Sequence, residues 1–309
     1  MGNFYTVSDL EAMRETNAVL SVFGDPVAHS LSPQLHNPAL LECGIAGEYV
    51  RIEVKEAEFP RALKRIQELG FYGTNVTIPH KFTALRSVDV VSDQARRLGA
   101  VNTVIFKDGK SIGRNSDGPG FVRAVKEGFA AEVRDLRVLV IGAGGGAGRA
   151  VAVQCALEGC QELILMNRTM EKTAALKQEL VEFYPSNKIH LEPWELDRVS
   201  HVLSSVDLVI NGTNLGMKPD DAPVLAGAAL KSRHLVYDMV YKPFETAFLR
   251  EAKAAGAKCI NGLPMLLHQG VVSFEWWFDR PAPIDAMRQG LWNAVGVPVA
   301  DGEYTPEPG

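Results

Sequence analysis

Lys81 closes the run Asn75-Val76-Thr77-Ile78-Pro79-His80-Lys81 and falls in the first turn of the helix expected to follow it. A cation at that end opposes the helix dipole, which tends to lower its pKa, so a lysine there is suited to exchange a proton with a substrate oxygen. A carboxylate nearby would oppose that shift and position the ammonium, and Asp117, in Asn115-Ser116-Asp117-Gly118, is the candidate. By residue type alone the two read equally as a general acid/base couple or as a surface ion pair. The residues before Lys81 alternate polar and apolar, so Asn75 and Thr77 share one strand face. Ser30-Leu31-Ser32-Pro33 has the pattern of a helix start, with Ser32 as N-cap and Pro33 as the first helical residue. Such an end offers hydroxyls and free N–H groups to a carboxylate, while simple capping is the plain alternative for Ser32.

A second group of residues suits a dinucleotide. Arg137-Val138-Leu139-Val140-Ile141 reads as a buried strand running into Gly142-Ala143-Gly144-Gly145-Gly146-Ala147-Gly148, with a helix next and a second strand over Glu162 to Met166. Gly142-x-Gly144-x-x-Ala147 fits the fingerprint in which glycines bring a pyrophosphate against N–H groups at a helix N-terminus; a plain glycine turn is the alternative. At the end of the second strand, an NAD site would place an acidic residue for the ribose 2′-hydroxyl. This chain has Asn167-Arg168-Thr169, with Lys172 one turn on, which suits a 2′-phosphate and hence NADP(H). A solvated Arg168 is the alternative. Two further strands, Asp207 to Asn211 and Leu235 to Asp238, end in loops where Met217 and Tyr241 are placed either to pack against a nicotinamide or to fill core.

Composition narrows the classes. The 309 residues carry 32 Lys+Arg against 37 Asp+Glu, a net charge of −5, so no overall positive charge drives nucleic-acid binding. With 46% hydrophobic and 22% charged residues, pervasive disorder is excluded. No uncharged apolar run reaches the ~20 residues of a membrane span. Asp9, Glu11 and Glu15 argue against a secretory signal. Met1-Gly2-Asn3-Phe4-Tyr5-Thr6 fits an acylation pattern, but with no polybasic stretch behind it the match reads as a decoy. Cys43, Cys155, Cys160 and Cys259 show no CxxC spacing and read as buried, reduced thiols of a cytoplasmic protein. His29 and His36 have no third ligand nearby and read as satisfied polar histidines, so no metal is expected.

The elements that must hold these residues follow an α/β pattern with mainly parallel strands. Strands are expected at Val19–Phe23, Tyr49–Val54 and Thr74–Ile78, and Phe59, Leu63, Ile66 and Leu69 keep helical spacing up to Gly70. Val101–Phe106 and Ser111–Asn115 flank Asp108-Gly109, a type I′ hairpin signal. Its register pairs Lys107 with Lys110, hence Asn102 with Asn115, bringing two amides together with Asp117 just beyond. Gly118-Pro119-Gly120 reads as a break before a helix carrying Phe121, Val125 and Phe129, and a domain boundary is expected there. Pro38 is awkward inside the helix after Ser32, so Asn37-Pro38 is expected to restart it. The tail from Pro298 reads as a mobile end.

These motifs occur jointly and in order. Phe23 to Pro33, Asn75 to Lys81, Gly99-Ala100-Val101-Asn102-Thr103, Asn115 to Gly118 and Asn261-Gly262-Leu263-Pro264-Met265-Leu266-Leu267-His268-Gln269 together resemble the shikimate dehydrogenase family over roughly Val19 to Trp292. The resemblance implies an α/β substrate domain, 1–117, completed by returning C-terminal helices, 262–309, and a Rossmann-type NADP-binding domain, 118–261. It implies NADPH-dependent reduction of 3-dehydroshikimate to shikimate on the route to aromatic amino acids, by a cytoplasmic monomer or homodimer.

By position, the resemblance gives Ser30 and Ser32 to the substrate carboxylate, and Asn75, Thr77, Asn102, Asp117 and Gln269 to ring hydroxyls. Tyr241 joins the substrate residues. Lys81 gives the proton, with Asp117 orienting it. Gly142, Ala143, Gly144, Gly145, Gly146, Ala147, Asn167, Arg168, Thr169, Lys172, Thr213, Met217 and Gly262 fall to the cofactor. Gln269 shares a helix face with Met265, Val272 and Trp276, and Trp276 and Trp277 read as core. Three departures stand out: Ser116 where the family usually has Thr, one extra glycine in the loop, and a segment before Val19 resembling the lead-in of chains where this domain follows a dehydroquinate dehydratase. The rival readings are a quinate/shikimate dehydrogenase of broader specificity, against which Ser32 and Arg168 argue, and a non-catalytic ligand-sensing regulator, which would be expected to lack Lys81 or Asp117.

Overall fold

The structure is a computed structural model that describes residues 4–218, 220–225 and 230–297. The acylation pattern therefore lies partly outside the described residues, and the tail from Pro298 wholly so. By their internal contacts the residues divide into two compact units: the chain up to Asp117 and again from Gln269, and Gly118–His268.

The first unit opens with a short strand, β1 (Phe4–Thr6), and a helix, α1 (Val7–Ala12), held at its start by reciprocal bonds between Thr6 and Asp9. Val7 and Leu10 of α1 are buried, so this lead-in belongs to the core of the unit. There follow β2 (Ala18–Gly24), α2 (Ser32–Glu42), β3 (Glu48–Glu53), α3 (Phe59–Glu68), β4 (Gly73–Val76), α4 (Lys81–Ser87), β5 (Val90–Val91), α5 (Asp93–Leu98), β6 (Thr103–Lys107) and β7 (Lys110–Arg114). In α3, Phe59, Ala62, Leu63 and Ile66 form one apolar stripe, and all four are buried. The seven strands order as β1-β3-β2-β4-β6-β7-β5. All neighbours are parallel except β4–β6 and β6–β7, where the hairpin enters. Asp108 and Gly109 both have positive φ, 52° and 74°, as a type I′ turn requires, and Lys107 pairs with Lys110.

Four local expectations are corrected. Leu31, not Ser32, is the N-cap of α2, which puts Ser32 in the first turn; the Ser32 N–H donates instead to Ser30 Oγ at 3.3 Å. The helix runs through Pro38 without restarting, and the Asn37 side chain is spent on both backbone groups of Tyr49. Asn102 and Asn115 do not bond each other. Asn102 turns to Ser116, while Asn115 donates to Ala100 O and accepts from Asp117 N–H. Gly118-Pro119-Gly120 is no break: helix α6 (Asp117–Phe129) begins at Asp117 and includes it, with Pro119 in the first turn where a missing N–H costs nothing.

The second unit continues from α6 through β8 (Arg137–Ile141), α7 (Gly146–Leu157), β9 (Glu162–Asn167), α8 (Met170–Leu180), β10 (Ile189–Pro193), α9 (Leu196–Ser205), β11 (Leu208–Asn211), β12 (Leu235–Asp238), α10 (Ala247–Ala254) and β13 (Lys258–Ile260). Its six strands are all parallel in the order β10-β9-β8-β11-β12-β13, the doubly wound Rossmann order, whose direction of winding reverses between β8 and β11. The inner strands carry apolar runs, 138–141, 163–166 and 208–210, as burial on both faces demands. Two helices end the described chain, α11 (Leu263–Phe278) and α12 (Ile284–Val295). Gln269 onward, including most of α11 and all of α12, completes the first unit.

Several side chains depart from the plain reading. Cys155 and Cys160 are buried, but Cys43 and Cys259 are half-exposed; all four are free. His36 is buried with neither ring nitrogen hydrogen-bonded among the described residues, and burial drives its pKa down to about 3. It acts as a neutral aromatic plate, stacked on Tyr49 at 4.6 Å and edge-on to Trp277. Trp277 is core, with its ring N–H donating to Val104 O at 2.9 Å, whereas Trp276 is half-buried beneath the Arg114 guanidinium.

Two expected outcomes follow from packing and burial. On α12, a Cβ at Gly290 would lie 2.2 Å from Gln34 O and 2.7 Å from Pro38 Cγ of α2. Gly290→Ala should therefore cost about 1–3 kcal/mol in unfolding free energy, and denaturant titration should show a lower midpoint. Asp238, fully buried, accepts from Asn211 Nδ2, Val240 N–H and Thr246 Oγ1, yet burial pushes its carboxyl up to about 6. A folded value above the unfolded one means that stability is fullest below the unfolded pKa, near 4, and is lost as pH rises through about 6. Asp238→Asn should remove up to about 3 kcal/mol of that pH dependence. Equal slopes of unfolding free energy against pH for both proteins would contradict it.

Candidate active site

The N-terminus of α4 is pinned before Lys81 is reached. His80 N–H donates to Thr77 O, His80 Nε2 lies 2.6 Å from Val54 O, and Val101 N–H donates to Lys81 O. Lys81 Nζ donates to Asp117 Oδ2 at 2.7 Å. Both side chains are partly shielded, 30% and 19% exposed, so this pair is neither fully solvated nor sealed away. Asp117 is fixed at the start of α6, its N–H donating to Asn115 Oδ1 at 3.0 Å. A carboxylate in the first turn of a helix is favoured by the helix dipole. The expected pairing is thus formed, with the ammonium held by a carboxylate that is itself positioned.

Next to it in the same unit stands a buried array of amides and hydroxyls. Asn75, at 5% exposed on β4, donates through Nδ2 to Asn102 O, Thr103 Oγ1 and Ser273 Oγ and accepts from the Tyr49 hydroxyl at 2.8 Å. Asn102 accepts from Ser116 N–H at 2.7 Å and donates to Ser116 Oγ at 3.0 Å. Gln269 Oε1 lies 3.5 Å from Ser116 Oγ. The array thus links Asn75, Asn102 and Gln269, three of the residues expected to bind hydroxyls. Thr77 lies just past β4, half-buried, with its methyl close against Gly24.

Ser30 and Ser32 are joined by a hydroxyl–hydroxyl bond of 3.1 Å. Arg51 on β3 reaches them from behind, donating to Ser30 O through Nε and Nη2 at 2.9 and 2.6 Å and to Gln34 Oε1. Burial lowers the Arg51 pKa, though the guanidinium remains charged at any ordinary pH. Two hydroxyls beside a held cation suit a carboxylate. Tyr241 belongs to the other unit, so the structure does not assemble it with these residues; burial raises its hydroxyl pKa.

In the second unit, β8 delivers the glycine loop to the N-terminus of α7. Gly142 has φ +78°, and Gly145 N–H closes the turn onto Gly142 O at 2.9 Å. A Cβ on Gly146 would meet nothing within 4 Å, so the helix start is open where an anion would approach, and the loop fits a pyrophosphate. The third glycine of the fingerprint is Gly148, not residue 147: a Cβ there would lie 2.3 Å from Gly142 O, whereas Ala147 is exposed. The extra glycine is absorbed by this longer spacing.

Other expected cofactor residues gather around the loop. Space for a side chain at Gly144 is closed off by Asn167 and Lys172, and at Gly142 by Thr213. Thr213 is held through N–H and Oγ1 by Asn211 Oδ1, and Asn211 in turn by Asp238. Asn167 Nδ2 donates to Thr169 O. The Arg168 guanidinium lies 4.8 Å over the Trp194 ring, because parallel pairing of Asn167 with Pro193 puts the next residues side by side. Gly262 packs on the backbone, with Met239 O 2.2 Å from where a Cβ would stand. Met217 is 59% exposed and fills no core.

Tyr49, Arg51, Thr103, Gly148, Trp194 and Ser273 are the contributors that sequence reasoning misses. Ser273 had a signal, since it stands four residues beyond Gln269 on the same helix face. Trp194 had none without the strand register. No cluster of three or more metal-ligating side chains occurs among the described residues, and no described helix is long and apolar enough to cross a membrane.

Three family models match: the shikimate dehydrogenase substrate binding domain over residues 22–104, shikimate / quinate 5-dehydrogenase over 124–217, and the shikimate 5′-dehydrogenase C-terminal domain over 262–290. A shikimate dehydrogenase (NADP(+)) of Desulfitobacterium hafniense is 40% identical over 277 residues, covering 90% of this chain and 98% of that protein. A crystal structure of a shikimate dehydrogenase in complex with NADP+ superposes with a TM-score of 0.82 at 36% identity, over 90% of this chain and 96% of the other. The Thermus thermophilus enzyme in complex with NADP(H) and shikimate gives 0.77 at 36% identity, over 89% and 98%. With both units matched in order and at this identity, the chain belongs to the shikimate dehydrogenase family.

Proposed function

We propose that this protein is an NADP-dependent shikimate dehydrogenase, reducing 3-dehydroshikimate to shikimate reversibly in the biosynthesis of aromatic amino acids in the cytoplasm. The observation that carries the reading is the 2.7 Å bond from Lys81 Nζ to Asp117 Oδ2 in the unit that also holds the amide array. When bound, NADPH supplies the hydride that reaches the carbonyl carbon. The Lys81 ammonium gives its proton to the carbonyl oxygen, and as the neutral amine it takes the hydroxyl proton in the reverse direction. Asp117 keeps the ammonium in place. Ser30 and Ser32, backed by Arg51, hold the substrate carboxylate. Asn75, Thr77, Asn102 and Gln269 hold the ring oxygens, and Tyr241 is assigned to the substrate as well.

The helix start at Gly146 receives the pyrophosphate, and Arg168 and Lys172 the 2′-phosphate. Trp194 backs the Arg168 guanidinium, which lies over its ring. We assign the substrate domain to residues 1–117 with the C-terminal helices, and the cofactor domain to the segment that starts at 118.

The direct test is NADP reduction with shikimate, set against quinate and against NAD. A kcat/KM preference for shikimate and for NADP of at least about tenfold each is expected; equal rates with quinate would move the protein to the broader-specificity class. Lys81→Ala should lower kcat roughly 10²–10⁴-fold with shikimate binding little changed, and intact turnover would remove Lys81 from its role. Arg168→Ala should raise the NADP KM about 10–100-fold without affecting NAD. Trp194→Ala should act in the same sense, by roughly two- to fivefold.

A further inference from the structure

Behind the amides lie three hydroxyls, those of Thr103, Ser116 and Ser273, all fully buried. Backbone groups of fixed character decide which way round each amide stands. Ser116 N–H can only donate, so the Asn102 atom 2.7 Å from it must be Oδ1. Asn102 O can only accept, so the Asn75 atom 3.2 Å from it must be Nδ2. The capacity left over then differs between the two. Asn75 Nδ2 has two protons and three protein acceptors around it: Asn102 O, Thr103 Oγ1 at 3.1 Å and Ser273 Oγ at 3.1 Å. Among the described residues its Oδ1 accepts from the Tyr49 hydroxyl, which leaves room for a further donor. Asn102 is the reverse. Its Oδ1 is within reach of Ser116 N–H, Thr103 Oγ1 at 2.9 Å and Ser116 Oγ at 3.2 Å, while Nδ2 gives one proton to Ser116 Oγ and keeps one.

We infer that the hydroxyl relay of Thr103, Ser116 and Ser273 holds Asn75 as a hydrogen-bond acceptor and Asn102 as a donor toward the ring oxygens of the substrate. The hydroxyls are closely coupled: Ser273 Oγ lies 2.9 Å from Thr103 Oγ1 and 3.0 Å from Ser116 Oγ and donates to Gln269 O at 2.9 Å. Thr103 touches both amides, so its loss takes one partner from each and loosens the hold that Asn102 O and Ser116 N–H begin. The substrate must then offer a hydroxyl proton at Asn75 and an oxygen lone pair at Asn102, which a ring bearing neighbouring hydroxyls does. The three relay residues act through the amides and are positioning residues. The inference rests on the proposed function and adds to it the sense of two contacts.

Thr103→Val keeps the shape of the side chain and removes the hydroxyl; Thr103→Ser restores it. In the assay of NADP reduction with shikimate, T103V should raise the shikimate KM about tenfold or more. Its kcat and its KM for NADP should stay within about threefold of the parent, and T103S should return the shikimate KM to within about threefold. An unchanged shikimate KM in T103V, or a T103S enzyme as impaired as T103V, would overturn the relay. Should T103V not fold, Ser273→Ala reads the same relay, with a shikimate KM about three- to tenfold higher expected and an unchanged KM overturning it. A parent enzyme that reduces no NADP with shikimate would overturn the function instead, so the two failures are distinguishable.

Discussion

A buried amide needs partners for both protons and its oxygen, and Asn75 finds one of them, Ser273, 198 residues away along the chain. That requirement shapes the first unit. Left without acceptors in the interior, the Nδ2 group would cost about 1–3 kcal/mol, and Asn102 O, Thr103 Oγ1 and Ser273 Oγ of helix α11 all stand ready to prevent that. The return of the chain at Gln269 accordingly joins this polar array as well as the packing. The same helix brings Trp277 to Val104 O, and a Cβ on Gly73 would lie 2.4 Å from the ring nitrogen of Trp277. Small backbone, indole and hydroxyl interlock here, and the residues assigned to the substrate stand on that foundation.

The nucleotide-binding unit depends on close backbone approach instead. Gly142, Gly148 and Gly212 meet where the ends of β8 and β11 and the start of α7 converge: a Cβ on Gly212 would lie 2.5 Å from Gly148 Cα. This is the point where the strand order reverses, so tight contact is combined with a free helix start. Asp238, Asn211 and Thr213 extend the device sideways as a chain of hydrogen bonds that shapes the next loop.

Much of this is legible in the sequence because it is governed by local rules. Lys81 lies at a helix start because the chain leaves β4 at Val76 and turns through Ile78-Pro79-His80, and the Asp108-Gly109 turn sets a register that brings Asp117 to the neighbouring strand end. Arg168 is found because a Rossmann unit has one place for the residue that reads the ribose. What escapes notice is non-local. Ser32 looks like a cap, but one residue of phase moves that role to Leu31 and leaves its hydroxyl to Ser30. His36 looks polar, yet stacking on Tyr49 makes it an apolar plate. The strand β1 has three residues, too few for any alternation to be recognised. Trp194 acquires meaning only through the pairing of β9 with β10. The expectation that Asn102 and Asn115 join fails because a register fixes which residues are opposite, not which way their side chains turn.

The interrupted first unit also bears on how the protein is made. The ribosome delivers the strands up to Asp117 first and the helix bearing Ser273 only after the whole of Gly118–His268. At about 5–20 residues per second, that interval lasts roughly 8–30 s. Throughout it, Asn75 and Thr103 lack their final partner and the half-built sheet has no α11 against it. The continuous nucleotide-binding unit is under no such delay and can close as soon as it emerges. The unit whose first strands are made first is therefore the last to receive all of its parts.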